Sequence, residues 1–338
     1  MQDLSRYARQ VVFPGIGEEG QRRLLQSRVT IVGVGATGTV LANNLTRAGV
    51  GYLRLVDRDY VEWHNLQRQT LFGESEARSG MPKAIAAAEH LRRVNSEIQI
   101  EPVVADVTAE NVEELVADVD LVMDGTDNFE TRYLLNDICV KLGKPWVYTG
   151  VVASYGMTMT IVPGETPCLR CLYPQPAPAG GGDTCDIAGV LNGAAGVMAS
   201  LASVEAIKLI VGQGTRNAGV IHVDVWANSF DAFQVARHPD CPACARREFP
   251  FLEAAADTSV SLCGRDAVQV RPIGRRKLDL SALGTRLALV GEVHVTPYLL
   301  RLTVNGHELT VFPDARAIIK GTDEPSVARS LYSKYIGM

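Results

Sequence analysis

Two pairs of cysteines are the residues whose type and spacing point most directly to metal chemistry. Cys168 and Cys171 form one Cys-x-x-Cys pair, and Cys241 and Cys244 form a second. Each pair can give two thiolates to one tetrahedral Zn²⁺, and four sulfurs would close the coordination shell. A redox role is the alternative for such a motif, but two motifs together favour zinc. We expect a structural zinc site and a reducing compartment.

A glycine-rich segment is the second chemical signal. Gly33, Gly35 and Gly38 fit the pattern G-x-G-x-x-G, directly after a β-branched run and before a helical pattern. Such glycines let the backbone approach a phosphate or ribose closely, while the helix N-terminus supplies donors. Asp57 ends the next predicted strand, where a carboxylate accepts hydrogen bonds from a ribose. The segment predicts nucleotide binding but does not distinguish NAD from ATP.

Cationic and amide side chains after the second predicted strand favour ATP. Residues 65–69 read Asn-Leu-Gln-Arg-Gln, and Lys83 lies in the first turn of a predicted helix. The helix dipole disfavours a cation at that end unless an anion lies nearby. A triphosphate with its pyrophosphate leaving group is such an anion. The alternative for Arg68 or Lys83 taken alone is a solvated surface side chain.

An acidic turn follows the strand predicted at residues 120–123. It contains Asp124, Asp127 and Asn128, and ligands bind at the carboxyl ends of strands in open α/β sheets. One carboxylate, from Asp127, would hold Mg²⁺ while phosphate oxygens and water complete the octahedron. The alternative is an N-cap for the helix beginning at Phe129, which either Asp127 or Asn128 could provide.

These residues need a scaffold that brings strand ends together. The strand–turn–helix–strand order over residues 28–57 is a βαβ unit, which predicts a parallel sheet. Further strands are predicted at residues 98–104, 120–123, 146–151, 157–162, 219–225 and 230–236. Helices are predicted at residues 39–48, 82–94, 109–117 and 129–142. We predict an α/β fold, a Rossmann-like open mixed sheet with helices on both faces.

Two domains are predicted. Residues 1–250 carry the nucleotide and zinc motifs, and residues 255–338 form a small α+β domain. In the second, Asn305-Gly306 between two apolar runs predicts a hairpin turn. A final helix is predicted over Pro325–Tyr335.

Composition excludes several classes of protein. The chain of 338 residues is 46% hydrophobic and 21% charged, as is usual for a globular protein. A net charge of -5 argues against nucleic-acid and anionic-membrane partners. Residues 189–211 are the most apolar stretch, but Asn192, Glu205 and Lys208 favour a buried helix over a membrane span. The N-terminus has no apolar run that would form a secretory signal, and we expect a cytoplasmic protein.

The order of these motifs resembles that of the ThiF/MoeB adenylyltransferases, relatives of the ubiquitin-activating enzymes. The resemblance covers about residues 5–246 and rests on the glycine turn, residues 65–69, the Thr-Asp-Asn turn and the paired cysteines. It implies that Asp127 holds Mg²⁺. It also implies that ATP is contacted by Gly35, Ala36, Asp57, Asn65, Gln67, Arg68, Lys83, Asp127 and Asn128. Arg9 matches an arginine that reaches the ATP of a second subunit, which implies a homodimer.

The resemblance also implies an activity. Such an enzyme activates the C-terminal Gly-Gly carboxylate of a ubiquitin-like sulfur-carrier protein, ThiS- or MoaD-like, as an acyl adenylate. The adenylate then accepts sulfur that originates from a donor of the cysteine desulfurase or rhodanese type, in thiamin or molybdopterin biosynthesis. The segment from about residue 255 resembles an extension on some thiazole-pathway members, which favours thiamin.

Three further cysteines have separate interpretations. Cys185 follows three glycines, and thiolates are effective nucleophiles toward activated acyl groups. By resemblance it matches a position that links covalently to the carrier; the alternative is a loop thiol without a role. Cys139 is expected in the core. Cys263 is interpreted as structural, because its segment lacks the Cys-Arg-x-Gly-x-Arg pattern of a rhodanese.

Two other classes of function remain as alternatives. An NAD(P)-dependent oxidoreductase needs only the glycine turn and Asp57, and it leaves residues 65–69, Lys83 and the cysteine pairs unexplained. A non-catalytic adaptor, like the inactive halves of heterodimeric activating enzymes, would lack the ATP residues that this chain keeps. Both explain less of the sequence than adenylation does.

Overall fold

A computed structural model describes residues 3–176, 188–253, 259–262, 266–272 and 277–337. The chain forms two compact units, Met1–Ala254 and Ala255–Met338. Cys185 and Cys263 lie outside the described residues, so the interpretations of these two thiols remain predictions.

An eight-stranded sheet forms the centre of the first unit. Its strands are β1 Arg28–Val32, β2 Tyr52–Asp57, β3 Gln99–Val104, β4 Leu121–Asp124, β5 Trp146–Val152, β6 Tyr155–Ile161, β7 Val220–Asp224 and β8 Ser229–Phe233. Their order is β3-β2-β1-β4-β5-β6-β7-β8. The pairs from β3 to β5 are parallel, and those from β5 to β8 are antiparallel. The predicted open mixed sheet is confirmed.

Helices cover both faces of this sheet. They are α1 Ala8–Val11, α2 Gly17–Gln26, α3 Ala36–Ala48, α4 Glu74–Ser79, α5 Lys83–Val94, α6 Val112–Val116, α7 Phe129–Leu142, α8 Leu169–Leu172, α9 Asn192–Val211 and α10 Pro250–Glu253, with 3₁₀ turns at Ser5–Tyr7 and Trp63–Asn65. Alternate strand residues enter two cores: Leu53 and Leu55 pack with α3, α5 and α9, and Val56 packs with α6 and α7. Cys139 is fully buried in the second core, as expected.

The apolar helix α9 has the length and composition of a membrane span. It nevertheless packs against α2, α3, β5 and β6, and 50% of its most apolar window is buried. Glu205, itself 3% exposed, accepts hydrogen bonds from Thr160 Oγ1 at 3.1 Å and Asn217 N at 2.9 Å. These contacts agree with the interpretation of residues 189–211 as a helix of the core.

The second unit contains a six-stranded antiparallel sheet. Its elements are β9 Ser259–Leu262, β10 Ala267–Val270, α11 Leu280–Leu287, β11 Glu292–Val295, β12 Leu300–Val304, β13 His307–Val311, β14 Ala317–Lys320 and α12 Pro325–Tyr335. Asn305 and Gly306 join β12 to β13 with φ of 50° and 79°. Positive φ at both positions is characteristic of a type I′ turn, and the predicted hairpin is confirmed.

Candidate nucleotide site and metal centre

The three glycines of the turn between β1 and α3 have different tasks. Gly33 has a φ of 86°, and a Cβ on it would lie 2.6 Å from the carbonyl oxygen of Gly125. A Cβ on Gly38 would collide with the carbonyl oxygen of Gly33. These two glycines therefore allow the turn to pack closely, backbone against backbone. A Cβ placed on Gly35 would have only Gln69 Nε2 within 4 Å among the described atoms outside the turn. The face of the turn at Gly35 is therefore open to a ligand.

Asp57 lies against the glycine turn. Its Oδ2 accepts a hydrogen bond from Val34 N at 2.7 Å, and its Oδ1 accepts one from Asp59 N at 2.7 Å. Burial raises the pKa of Asp57, the charge of Lys83 opposes that rise, and the charge of Asp59 adds to it. The carboxylate is thus fixed at the carboxyl end of β2, where a ribose binds in folds of this type.

Lys83 is a nearly buried cation at the first position of α5, 5% exposed. Its Nζ donates to Asp59 Oδ2 at 3.2 Å, and its backbone N donates to Asp59 O at 2.9 Å. Arg58 forms an ion pair with Asp106 at 3.2 Å. Arg58, Asp59 and Asp106 were not among the predicted site residues, although the run Asp-Arg-Asp at residues 57–59 is a signal that the sequence contains.

The segment 65–69 is divided between structural and accessible side chains. Asn65 is buried, and its Oδ1 accepts a hydrogen bond from Glu62 N at 3.0 Å, closing a capping box on the Trp63–Asn65 turn. Arg68 is partly exposed and donates to His64 O at 2.9 Å. Gln67 is exposed, whereas Gln69 is buried beside Gly35.

The turn between β4 and α7 shows which residue caps the helix. Asn128 Oδ1 accepts a hydrogen bond from Thr131 N at 2.8 Å, so Asn128 is the N-cap. Asp124 is fully buried and pairs with Arg132 at 3.1 Å. Asp127 is exposed, and its charge acts on Arg58 and Arg132. The charges of Asp127 and Asp57 both act on Arg58, so the two carboxylates lie on the same side of this edge of the sheet.

Arg9 is not part of this group within one chain. It is exposed on α1, and among the described residues no hydrogen bond or ion pair joins it to the glycine turn, Asp57, Lys83 or Asp127. Its predicted role requires a second copy of the chain.

The four paired cysteines converge on one point. Their Sγ atoms all lie within 4.8 Å of one another, and Cys168–Cys241 and Cys171–Cys244 are each separated by 3.6 Å. A tetrahedral zinc with bonds of about 2.3 Å requires sulfur separations of about 3.8 Å, so the donor set fits. Hydrogen bonding from Cys168 lowers the pKa of Cys171 to about 4, and the backbone N–H of His238 assists at 3.4 Å.

Known proteins share this sequence pattern. A model of the ThiF family matches residues 7–243. The sulfur carrier protein ThiS adenylyltransferase of Bacillus subtilis is 43% identical over 336 residues, which cover 98% of this chain and 99% of the relative. The SAMP-activating enzyme E1 of Haloferax volcanii is 40% identical over 242 residues, which cover 71% of this chain and 88% of that relative.

Solved structures share the fold. Escherichia coli MccB with AMPCPP and selenomethionine MccA superposes with a TM-score of 0.65 at 22% identity, over 72% of this chain and 75% of that one. At this identity the likeness supports the Rossmann-like architecture of the first unit and nothing finer.

Proposed function

The chain belongs to the ThiF family, and from this membership we propose that it is an ATP-dependent adenylyltransferase acting on a ubiquitin-like sulfur-carrier protein. The observation that carries the proposal is the similarity to the Bacillus ThiS adenylyltransferase along nearly the whole of both chains. Contacts at the carboxyl edge of the sheet support it: Asp57 accepts a hydrogen bond from the glycine turn, and Lys83 pairs with Asp59. The charge of Asp127 acts on Arg58, next to Asp57. An oxidoreductase would not need Lys83 or Asp127.

The carrier is of the ThiS type. Similarity to the Bacillus enzyme continues through the second unit, whereas the Haloferax relative matches over 71% of the chain. The full-length similarity to a ThiS adenylyltransferase favours the thiamin branch over the molybdopterin branch. By resemblance to the family we expect the carrier to end in Gly-Gly, a segment thin enough to bring its carboxylate to the α-phosphate.

The reaction converts a poor electrophile into a reactive one. A carboxylate oxygen of the carrier attacks the α-phosphorus of ATP, the bond to the bridging oxygen of the β-phosphate breaks, and pyrophosphate leaves. Lys83 and Arg68 oppose the negative charge that collects on the phosphates, and Asp57 accepts from the ribose. The backbone N–H groups at the start of α3 lie where the phosphates approach Gly35.

Two metal ions and a second subunit complete the proposal. Asp127 would hold Mg²⁺, which neutralises phosphate charge when bound. Cys168, Cys171, Cys241 and Cys244 would hold a structural Zn²⁺. Arg9 from a second copy would add a cation to the phosphates, and we therefore propose a homodimer.

Sulfur transfer follows adenylation. We propose that the thiolate of Cys185 attacks the acyl adenylate, so that a bond from Sγ to the carbonyl carbon forms as AMP leaves. A cysteine desulfurase or a rhodanese-type protein then supplies sulfur as a persulfide, whose outer sulfur attacks the thioester carbonyl as the Cys185 thiolate leaves. A thiol reductant cleaves the resulting acyl disulfide and releases the thiocarboxylate. Cys185→Ser should leave ATP–pyrophosphate exchange unchanged, because that step precedes thiol chemistry. Thiocarboxylate formation should fall sharply. Wild-type thiocarboxylate formation by the variant would make Cys185 a bystander.

Intact-mass spectrometry tests the adenylation step directly. The enzyme, Mg·ATP and a ThiS-type carrier should produce a carrier with one added AMP, and pyrophosphatase should increase its yield. A carrier with an amidated C-terminus is the matched control, since it lacks the attacking carboxylate. Equal modification of both carriers, or of neither, would contradict the proposed function.

A further inference from the structure

Tyr173 lies two residues after Cys171, at the end of the short helix α8 that follows Cys168. Its backbone N donates to Leu169 O at 2.8 Å, and its backbone O accepts from Tyr133 Oη at 3.1 Å. The peptide groups on both sides of this residue are therefore held, one within α8 and one against α7. The position of the ring thus follows the position of the segment that carries the first two paired cysteines.

The ring of Tyr173 packs against two further aromatic rings. It meets Phe129 edge-on with ring centroids 5.4 Å apart, and it meets Tyr148 edge-on at 6.5 Å. Its hydroxyl lies 3.8 Å from Met157 Sδ. Phe129 is the first residue of α7 and lies two positions after Asp127. The contact with Phe129 therefore joins the cysteine segment directly to the turn between β4 and α7.

Arg132 extends this contact into the turn. Its guanidinium lies 5.1 Å from the ring centre of Phe129 and 5.2 Å from that of Tyr148. The same guanidinium donates from Nη2 to Thr126 O at 2.7 Å, and Thr126 directly precedes Asp127 in the chain. The layer of aromatic rings therefore packs around the cation that fixes this part of the backbone.

We propose that Tyr173 is a positioning residue that couples the cysteine centre to the nucleotide site, so that Zn²⁺ and ATP each strengthen the binding of the other. This inference rests on the proposed function for the identity of the nucleotide. Helix α8 has four residues, too few to be stable alone, so the metal orders the segment around it. With the metal bound, the ring of Tyr173 supports the turn that contains Asp127. Without it, part of the binding free energy of ATP is used to order that turn.

Thermodynamic linkage makes the coupling reciprocal, which allows a test on the folded, zinc-loaded chain. The factor by which zinc raises the affinity for ATP equals the factor by which ATP raises the affinity for zinc. The measurement is the dissociation constant for Zn²⁺, obtained by competition with a chelator of known affinity, with and without saturating Mg·ATP. For wild type we expect Mg·ATP to tighten zinc binding about 10-fold, within the usual range for coupled sites.

Two substitutions of Tyr173 separate the role of the ring from that of the hydroxyl. Tyr173→Phe keeps the ring and should retain the effect of Mg·ATP on zinc affinity. Tyr173→Ala removes the ring, and Mg·ATP should then leave the zinc affinity unchanged. Phe129→Ala removes the other side of the contact and should give the same loss. Tyr298→Ala, in the second unit, is the matched control and should behave as wild type.

A purely structural role for Tyr173 predicts a different pattern. Tyr173→Ala would then melt at a lower temperature and yet show the wild-type tightening of zinc by Mg·ATP, and that result would overturn the inference. Equal zinc affinities of wild type with and without Mg·ATP would overturn it as well. Phe129 is 39% exposed, so Phe129→Ala keeps the test available if Tyr173→Ala fails to fold. Wild-type tightening in Phe129→Ala would also contradict the coupling.

The outcome separates this inference from the proposed function. Wild type whose zinc affinity rises with Mg·ATP, but which does not exchange pyrophosphate in the presence of a carrier, would defeat the proposed function and support the inference. Carrier-dependent exchange by wild type whose zinc affinity is the same with and without Mg·ATP would defeat only the inference.

Discussion

Neighbouring side chains in the turn between β4 and α7 have different roles. Asn128 caps α7 through Thr131 N, and the buried pair of Asp124 with Arg132 holds the turn. Asp127 is exposed and is not the cap. The stability of the turn therefore depends on the residues beside Asp127 rather than on Asp127 itself.

Asp127→Ala should abolish ATP–pyrophosphate exchange and leave the melting temperature within error of wild type. The metal would lose its protein ligand, whereas the helix cap would remain. Asn128→Ala is the contrasting variant, expected to lose about 1 kcal/mol of unfolding free energy. Normal exchange by purified Asp127→Ala would show that Asp127 is not a metal ligand.

Several of these residues could be placed from sequence, and others could not. Asp57 and Asp127 end strands or follow them directly, and parallel strands bring such ends to one edge. Lys83 begins a predicted helix. Gln69 lies in irregular backbone, where burial follows from tertiary packing. The pairing of Lys83 with Asp59 is likewise a contact across 24 residues that local patterns do not specify.

At the level of elements, a buried carboxyl group joins α7 to α10. Asp137 is fully buried, and its Oδ2 accepts a hydrogen bond from Phe251 N at 3.3 Å. Tyr133 stacks on Phe251 with ring centroids 4.8 Å apart. Burial raises the pKa of Asp137 to about 6. The folded chain therefore binds a proton more tightly than the unfolded chain does.

This raised pKa predicts a pH dependence of stability. The contribution of Asp137 is fully present below about pH 4 and is lost as pH rises through about 6, since the ionised form is buried. Asp137→Asn should remove that loss, which amounts to about 3 kcal/mol by linkage. Denaturation followed by tryptophan fluorescence reports the first unit alone, because Trp63, Trp146 and Trp226 all lie in it.

The matched control for this variant is Asp323→Asn, an exposed residue of the second unit. It should leave the pH profile of the first unit as in wild type. A wild-type profile that is flat between pH 4 and 7, or that rises, would contradict the assignment of a raised pKa to Asp137.

The cluster of Cys168, Cys171, Cys241 and Cys244 brings distant segments of the first unit into contact. Cys168 and Cys171 lie at α8, and their partners lie 73 residues further along the chain. We predict one Zn²⁺ per chain by metal analysis and a lower melting temperature after chelation, since metal binding is coupled to folding. Cys139→Ser, at a buried cysteine outside the cluster, should keep its zinc, whereas Cys241→Ser should lose it. Protein purified without chelator and free of zinc would contradict the site.

Elements with clear boundary signals were predicted to the residue. Helix α7 begins after the Asn128 cap and ends before Gly143, which has a φ of 68°. Helix α12 has Pro325 at its first position. Helix α2 was missed because Leu24 is its only large buried apolar side chain. Helix α8 was not predicted either; it begins directly after Cys168, one of the four clustered cysteines.

At the level of the whole molecule, the two units have different relations to the proposed chemistry. The glycine turn, Asp57, Lys83, Asp127 and the cysteine cluster all belong to Met1–Ala254. The second unit has a separate antiparallel sheet and its own core. The similarity to the Bacillus enzyme extends through the second unit, and this supports the choice of a ThiS-type carrier. It does not bear on the assignment of the catalytic residues, which lie in the first unit.

Carrier-dependent exchange of pyrophosphate into ATP is the most direct measurement of the central claim. With Mg²⁺ and a ThiS-type carrier ending in Gly-Gly, wild type should transfer label from pyrophosphate into ATP. Omission of the carrier, or amidation of its C-terminus, should abolish the transfer, because the attacking carboxylate would be absent. Tight binding of NAD with no binding of ATP, or exchange that proceeds equally without any carrier, would contradict the account.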